Sequence, residues 1–285
     1  MDGLICMVTG ATSGIGKAVA VSIAKRGDIL LLIGRDKLKT EAVLEEIKKL
    51  SGNEKISYML ADLSSQEEIR KLVPEIYEKY PRLDILINNA GSVFMSRADS
   101  VDGIEMTFAL NHLSYFLIGN LLLPLICRSD YGRIINVSSS AHERSHINFS
   151  DPQFKKNYNV VRAYGRSKLA NLLFSYQLAK RVDGTNVTVN AVHPGVVATN
   201  LVSSNNRSVI AKFLTFVLKY RGIDPQVSAN HIMDMFTSRE FFEVNGKYFV
   251  DGRIVPSAPQ SYIQSDAENL WDLSNCLTNS NFPKT

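Results

Sequence analysis

The stretch "TGATSGIGK", residues 9–17, decides the fold of this chain. A short apolar run precedes it and a segment with helical spacing follows it, so the stretch predicts a turn between a buried strand and a helix. Glycines in such a turn, here Gly10, Gly14 and Gly16, let the backbone approach a pyrophosphate. Their spacing is G-x-x-x-G-x-G rather than the usual G-x-G-x-x-G, and structural loops use glycine too. We interpret the turn as a phosphate-binding loop.

Outward from this turn, short apolar runs alternate with longer segments of helical spacing. This alternation predicts an α/β fold, a single-domain Rossmann-type doubly wound parallel sheet with helices on both faces. The domain is expected over residues 1–260, with a substrate lid at about 196–222, and residues 261–285 are expected as a C-terminal appendage rich in Ser, Asn and Gln. The predicted strands are LICMVT (4–9), ILLLIG (29–34), ISYMLA (56–61), LDILIN (83–88), GRIINVSS (132–139) and NVTVNAVHPG (186–195).

Composition restricts the classes of function. The net charge of +4 is scattered along the chain, so no nucleic-acid partner is expected. Three distant cysteines, Cys6, Cys127 and Cys276, form no disulfide or metal-ligand pattern, which favours a reducing compartment and no metal. The first strand begins too early for a leader, and no apolar run approaches the roughly 20 residues of a membrane span. We therefore expect a cytoplasmic protein with no transmembrane segment.

Basic residues follow the second predicted strand. A ribose 2′-hydroxyl is usually met there by a carboxylate and a 2′-phosphate by an arginine. Arg35 occupies that position with Lys39 nearby, and Asp36 is expected to point elsewhere, so NADP(H) is predicted over NAD(H). A solvated charged turn is the alternative. After the third strand Asp62 is expected to accept from an adenine amino group, and after the fourth the amides of "NNAG", residues 88–91, suit a ligand crevice or a purely structural role.

The stretch "YGRSK", residues 164–168, places Tyr164 and Lys168 on one helical face. An ammonium beside a phenol favours the phenolate, so the pKa of Tyr164 is expected to fall toward neutrality. Such a tyrosine can give a proton to a carbonyl oxygen or take one from an alcohol, and a nicotinamide supplies the hydride. Chance matches to this spacing are common. Together with a glycine loop and a six-strand α/β pattern, the pair predicts a carbonyl–alcohol oxidoreductase.

Further polar residues surround this pair in the predicted fold. The fifth strand ends in three serines, Ser138, Ser139 and Ser140, any of which can hold a substrate oxygen, and alternation along a strand does not decide between them. Asn111 interrupts an otherwise apolar helix, where a buried amide needs partners. It either holds a water that relays protons from Lys168 or braces the helix.

Taken together, "TGATSGIG", "NNAG", Asn111, the serine run, "YGRSK" and "HPGVVAT" resemble the short-chain dehydrogenase/reductase family in order and kind, from residue 4 to about 200. The resemblance implies a catalytic tetrad of Asn111, Ser139, Tyr164 and Lys168, and it selects Ser139 among the three serines. It implies cofactor binding by Gly10, Thr12, Ser13, Gly14, Ile15, Gly16, Arg35, Lys39, Asp62, Leu63, Asn89, Ala90, Gly91, Tyr164, Lys168, Pro194, Gly195, Val197 and Thr199.

Within that family the chain looks similar to the retinol dehydrogenase-like branch, through "GRD", "SSSAH", "YGRSKLANLLF", "GKYFVDG" and "LWDLS". That branch reduces retinaldehyde or other lipophilic carbonyls with NADP(H). The chain departs from it in lacking an N-terminal membrane segment and in carrying "VDG", residues 250–252, where many relatives have a cysteine. A steroid, a quinone or another ketone remains as an alternative substrate. A catalytically silent NADPH-binding regulatory protein is the alternative from a different class.

The expected partners are one small lipophilic carbonyl or alcohol and, through the two long central helices around 104–128 and 160–182, a second copy of the chain, as family members often assemble. The mostly apolar piece "VIAKFLTFVLKY", residues 209–220, predicts a lid helix for a hydrophobic substrate. Peripheral membrane contact through that helix and simple packing on the domain core are the alternatives.

Overall fold

A computed structural model describes residues 3–195 and 224–283. Within them, eight strands form one sheet: β1 Ile5–Thr9, β2 Ile29–Gly34, β3 Ile56–Leu60, β4 Ile85–Asn88, β5 Gly132–Val137, β6 Val187–His193, β7 Tyr248–Val250 and β8 Arg253–Val255. Their order is β3-β2-β1-β4-β5-β6-β7-β8, and every neighbouring pair is parallel except β7–β8. The predicted doubly wound parallel sheet is confirmed.

Two strands, β7 and β8, were not predicted from the sequence and extend the sheet beyond β6. They form an antiparallel hairpin whose two turn residues, Asp251 and Gly252, have φ of 49° and 74°. An Asp-Gly pair with both φ positive is a favoured two-residue hairpin turn, so the signal was present in the sequence. Each strand has only three residues, which is too short for a recognisable alternation of apolar and polar positions.

Helices cover both faces of the sheet. They are α1 Gly14–Lys25, α2 Lys37–Ser51, α3 Gln66–Lys79, α4 Met106–Phe108, α5 Ser114–Ile126, α6 Val160–Arg181, α7 Pro225–Thr237 and α8 Gln264–Leu277, and a π-helical turn, Ala109–Leu113, joins α4 to α5. Side chains of β1 alternate between two apolar clusters: Ile5 and Met7 pack with α3, α5, α6 and α8, whereas Cys6 and Val8 pack with α1, α2 and α7. Burial on both faces explains why the strands are apolar throughout.

The helix α8 lies in the segment expected as a C-terminal appendage. Its Trp271 is 1% exposed and contacts Phe116 of α5 edge-on, with ring centroids 5.0 Å apart. Trp271 Nε1 also donates to the carbonyl oxygen of Phe282, 2.9 Å away, which fixes the chain after α8. The segment is therefore part of the main apolar core. A domain boundary at residue 260 and the lid at 196–222 stay predictions, and the lid lies outside the described residues.

One stretch of the described chain, Met106–Ile126, is long and apolar enough to cross a membrane by length and composition alone. No such run was predicted from the sequence. However, 83% of its most apolar window is buried inside the protein, which is typical of a core helix. The location of the protein in the cell stays a prediction.

Candidate active site

The glycine-rich turn lies against the carboxyl end of β4. Gly10 has a φ of 64°, and a Cβ added there would lie 2.8 Å from the Cα of Ala90, so only glycine fits. Asn89 Nδ2 donates to the carbonyl oxygens of Thr9 and Gly10 at 2.9 and 3.2 Å, and the Thr9 hydroxyl accepts from the backbone N–H of Ala90 at 3.0 Å. Asn89 and Ala90, expected at the cofactor, thus also hold the turn in shape.

The N-terminus of α1 lies within the glycine-rich turn, because the helix begins at Gly14. Its N-cap residue, Ser13, makes no side-chain capping hydrogen bond, and the first turn holds no acidic residue. The first turn, which includes Ile15, therefore presents backbone N–H groups and the positive end of the helix dipole, with no carboxylate in the turn itself. Thr12 lies next to the end of β2, since a Cβ on Gly34 would lie 3.1 Å from its methyl group. The phosphate loop and the corner after β2 are thus adjacent.

At that corner Arg35 and Asp62 face each other. The Arg35 side chain is 73% exposed, and its Nη1 lies 3.4 Å from Asp62 Oδ2. Burial alone would raise the pKa of Asp62, but hydrogen bonds from Ser64 and the charge of Arg35 outweigh it and hold that pKa below its usual range. Asp36 points away as expected, because its carboxylate accepts from the backbone N–H of Lys39 at 2.9 Å and caps α2. The side chain of Lys39 is exposed, and Leu63 is buried beside Asp62.

The predicted reacting centre lies at the ends of β4 and β5. A Cβ added to Gly91 would lie 3.2 Å from Asn111 Oδ1 and 3.7 Å from Lys168 Nζ, so the loop after β4 packs closely against Asn111 and α6. Asn88, the alternative amide there, donates to Asn136 Oδ1 at 2.9 Å and belongs to the sheet interior. The structural interpretation of Asn88 is therefore the better one.

The structure distinguishes the three serines after β5. Ser138 is buried, and its hydroxyl donates to the carbonyl oxygen of Lys168 at 2.8 Å. Ser140 is exposed at the start of a 3₁₀ turn. Ser139 hydrogen-bonds the side chain of Tyr164, and its Oγ accepts from the backbone N–H of Ala141 at 3.2 Å. The serine brought together with Tyr164 is thus Ser139.

Burial controls the protonation of both groups on α6. It raises the pKa of Tyr164 to about 12, although the hydrogen bond from Ser139 opposes the rise. It also lowers the pKa of Lys168 to about 7, and Lys168 Nζ donates to the carbonyl oxygen of Val137 at 3.0 Å. The expectation that Lys168 lowers the pKa of Tyr164 is therefore wrong for the protein's own groups. Desolvation disfavours both charges, and Nζ lies 5.6 Å from the centre of the phenol ring.

Asn111 sits in the π-helical turn and is fully buried. Its Oδ1 accepts from the backbone N–H of Ser92 at 2.9 Å, and its Nδ2 donates to the carbonyl oxygen of Ser92 and to the hydroxyl of Ser167, at 3.0 and 3.2 Å. The Ser167 hydroxyl donates in turn to the carbonyl oxygen of Tyr164 at 2.7 Å. The amide thus fastens the loop after β4 to the helix that carries Tyr164.

The segment after β6 begins with Pro194 and Gly195, both expected at the cofactor. The Pro194 carbonyl oxygen accepts from the hydroxyl of Ser228 on α7, and Gly195 has a φ of 83°. The other two residues expected here, Val197 and Thr199, lie outside the described residues.

Three polar residues on α6 that support this site were not predicted from the sequence, namely Ser167, Asn171 and Ser175. With Tyr164 and Lys168 they occupy positions i, i+3, i+4, i+7 and i+11, which share one face of a helix. That spacing was visible in the sequence. Which groups these residues contact was not, because every partner outside α6 is distant along the chain.

Comparison with known proteins identifies the family. The sequence profile described as short chain dehydrogenase matches residues 4–209. The chain therefore belongs to the short-chain dehydrogenase/reductase family of oxidoreductases. The parallel sheet, the glycine turn and the cluster of Ser139, Tyr164 and Lys168 agree with this assignment. Human retinol dehydrogenase 13 is 37% identical over 95% of this chain and 83% of its own length. Human retinol dehydrogenase 14 is 35% identical over 97% of this chain and 87% of its own length.

Solved structures agree with this fold. An uncharacterised protein from Mycobacterium paratuberculosis superposes with a TM-score of 0.78 at 27% identity, over 98% of this chain and 95% of that chain. The Pseudomonas aeruginosa RhlG/NADP active-site complex superposes with a TM-score of 0.70 at 26% identity, over 88% of this chain and 96% of that chain.

Proposed function

We propose that this protein is an NADP(H)-dependent oxidoreductase that interconverts a carbonyl and an alcohol on a lipophilic substrate such as retinal or retinol. The observation that carries the proposal is the cluster of Ser139, Tyr164 and Lys168 beside Gly91. Burial keeps the phenol of Tyr164 protonated at neutral pH, so the group carries the proton that a carbonyl oxygen would receive.

The residues around this cluster fit a dinucleotide. Gly10, Gly14 and Gly16 with the start of α1 would hold the pyrophosphate. Asp62 would accept from the adenine, and the exposed guanidinium of Arg35 would bind a 2′-phosphate bidentately. The relative that carries NADP in its active site supports the choice of NADP(H). When bound, the nicotinamide supplies or accepts the hydride.

The chain's own side chains would handle the substrate oxygen and its proton. Tyr164 would donate its proton to the carbonyl oxygen, and Ser139 would orient that oxygen with a second hydrogen bond. Lys168, with a pKa of about 7, exchanges protons near neutral pH and would restore the proton on Tyr164. Asn111 would support that relay by fixing the position of Tyr164, because its side-chain amide bonds Ser92 and Ser167 and the Ser167 hydroxyl bonds the carbonyl oxygen of Tyr164.

The substrate class rests on the relatives. Retinol dehydrogenases 13 and 14 match nearly the whole chain, which makes retinal the first substrate to test. We expect NADPH oxidation, followed at the nicotinamide absorbance, with all-trans-retinal in a panel that includes simple aldehydes, steroids and quinones. Turnover of only the other carbonyls would remove the retinoid assignment. Tight NADPH binding without turnover of any carbonyl would support the regulatory alternative and overturn the proposal.

The cofactor assignment predicts a change of preference in Arg35→Asp. Losing the charge-assisted bonds of the guanidinium to a 2′-phosphate is worth about tenfold to a hundredfold in affinity, and Asp would repel the phosphate. We expect kcat/KM with NADPH to fall by about that factor while kcat/KM with NADH holds or rises. Lys49→Asp, at the exposed far end of α2, is the control for charge change and keeps the wild-type preference. An unchanged preference in Arg35→Asp would exclude Arg35 from this role.

A further inference from the structure

We propose that the C-terminal helix α8 positions the reacting centre through a buried hydrogen-bond chain from Ser274 through His112 and Asn171 to the carbonyl oxygen that anchors Lys168. Ser274 and His112 are thereby positioning residues. This inference rests on the proposed function for its effect on turnover, but the hydrogen-bond chain itself does not depend on which substrate is reduced.

The chain of contacts is continuous. Ser274 Oγ lies 3.0 Å from His112 Nε2, and His112 Nδ1 lies 3.3 Å from Asn171 Oδ1. Asn171 Nδ2 donates to the carbonyl oxygens of Asn111 and Val137, at 2.9 and 3.3 Å. The Val137 carbonyl oxygen also accepts from Lys168 Nζ at 3.0 Å. Four contacts therefore separate the C-terminal helix from the catalytic ammonium.

The direction of every hydrogen bond in this chain is fixed. Because carbonyl oxygens only accept, the amide of Asn171 must present Nδ2 to them and Oδ1 to His112. His112 Nδ1 must then carry a proton to donate to Oδ1. Burial lowers the pKa of His112 to about 4, so the ring is neutral at pH 7 and Nε2 can only accept. Ser274 is therefore the donor at the start of the chain.

The helix α8 is held firmly enough to act as this anchor. Ser274 and His112 are both fully buried, so no solvent replaces a lost partner. Trp271, one turn earlier, packs against Phe116 and Phe174 with ring centroids 5.0 and 5.9 Å away. The polar contact at Ser274 thus lies inside the apolar seam that binds α8 to α5 and α6.

The groups around Lys168 make its protonation sensitive to changes at the end of this hydrogen-bond chain. Tyr164 on α6 and Tyr115 on α5 face Nζ, with ring centres 5.6 and 5.7 Å away. Within the described part of the chain, no carboxylate contributes to the shift of its pKa. The Val137 carbonyl oxygen is consequently the main group that the ammonium binds, and any change in what else that oxygen accepts is transmitted to Lys168.

Ser274→Ala tests the inference. The substitution leaves His112 Nε2 buried without a donor. The ring is then no longer kept in the tautomer that carries its proton on Nδ1, so its hydrogen bond to Asn171 Oδ1 weakens. Val137 then accepts mainly from Lys168, which favours the ammonium. We expect the titration midpoint of Lys168 to rise by about one pH unit and kcat to fall by about tenfold, as for loss of one buried hydrogen-bond partner.

The midpoint is read by NMR of the Cε resonance in protein labelled with ¹³C-lysine and assigned with Lys168→Met. Thr278→Val is the matched control, because Thr278 caps the C-terminus of the same helix and its hydroxyl donates to the Ser274 carbonyl oxygen at 2.7 Å, but it makes no hydrogen bond to His112. It should leave both the midpoint and kcat unchanged. A wild-type midpoint in Ser274→Ala, or an equal shift in Thr278→Val, would overturn the inference. The NMR titration needs no substrate, so its result stands even if the proposed function fails.

Discussion

Tyr164→Phe is expected to lower kcat by about 10²–10⁴-fold, the usual contribution of a positioned general acid. The substitution removes only the phenolic oxygen, which is the group beside Ser139. Affinity for NADPH is measured by quenching of Trp271 or by calorimetry. It should stay within a few-fold, because the substitution leaves unchanged the glycine turn and Arg35, which are proposed to hold the cofactor's phosphates. Turnover is measured with whichever carbonyl of the panel reacts.

The matched control is Tyr176→Phe, twelve residues later on the same helix. Tyr176 also loses a hydroxyl with a buried partner, since its Oη lies 2.6 Å from Ser257 Oγ, but it lies away from the reacting centre. Its kcat should remain close to the wild-type value. If Tyr164→Phe turned over within about threefold of the wild type, Tyr164 would not be the proton donor and the proposed mechanism would be wrong.

The second large effect concerns stability in acid. The pKa of His112 is about 4 in the folded protein and about 6.5 in an unfolded chain, so below pH 6.5 the unfolded state binds a proton that the folded state rejects. The contribution of His112 to stability is therefore full above pH 6.5 and is lost as the pH falls toward 4. Integrating the linkage gives a loss of about 3 kcal/mol in the free energy of unfolding between pH 7 and pH 4 from this one group.

Urea denaturation at a series of pH values measures this loss. Burial also lowers the pKa of His142 and of His193, so the wild type loses more than His112 alone explains. The difference between the wild type and His112→Gln isolates the one group: the variant is less stable at pH 7 but should lose about 3 kcal/mol less on acidification. His146→Gln, at an exposed position, should follow the wild-type curve. If the free energy of unfolding of the wild type and of His112→Gln fell in parallel as the pH was lowered, His112 would not have a lowered pKa in the folded protein.

Local patterns in the sequence were sufficient for the main elements of the sheet and for the set of candidate site residues. The glycine turn, the apolar strands and the Tyr164–Lys168 pair each depend on residues within one turn or one strand, where backbone sterics and helix periodicity decide. The prediction that Asp36 points away came from its position one residue after Arg35, and the structure shows that its carboxylate caps α2. The choice of Ser139 came from the family resemblance, and the structure then placed that serine beside Tyr164.

The tertiary structure alone decided the protonation of the site and the part played by the C-terminus. Tyr164 was expected with a lowered pKa, but burial by distant elements raises it, and desolvation cannot be read from two residues on one helix face. Likewise, His112 and Ser274 are 162 residues apart and meet only because α8 packs across α5 and α6. The sequence by itself determined which chemical groups this protein carries and on which elements. Folding determined their pKa values and their long-range partners, because both depend on which distant surfaces exclude water.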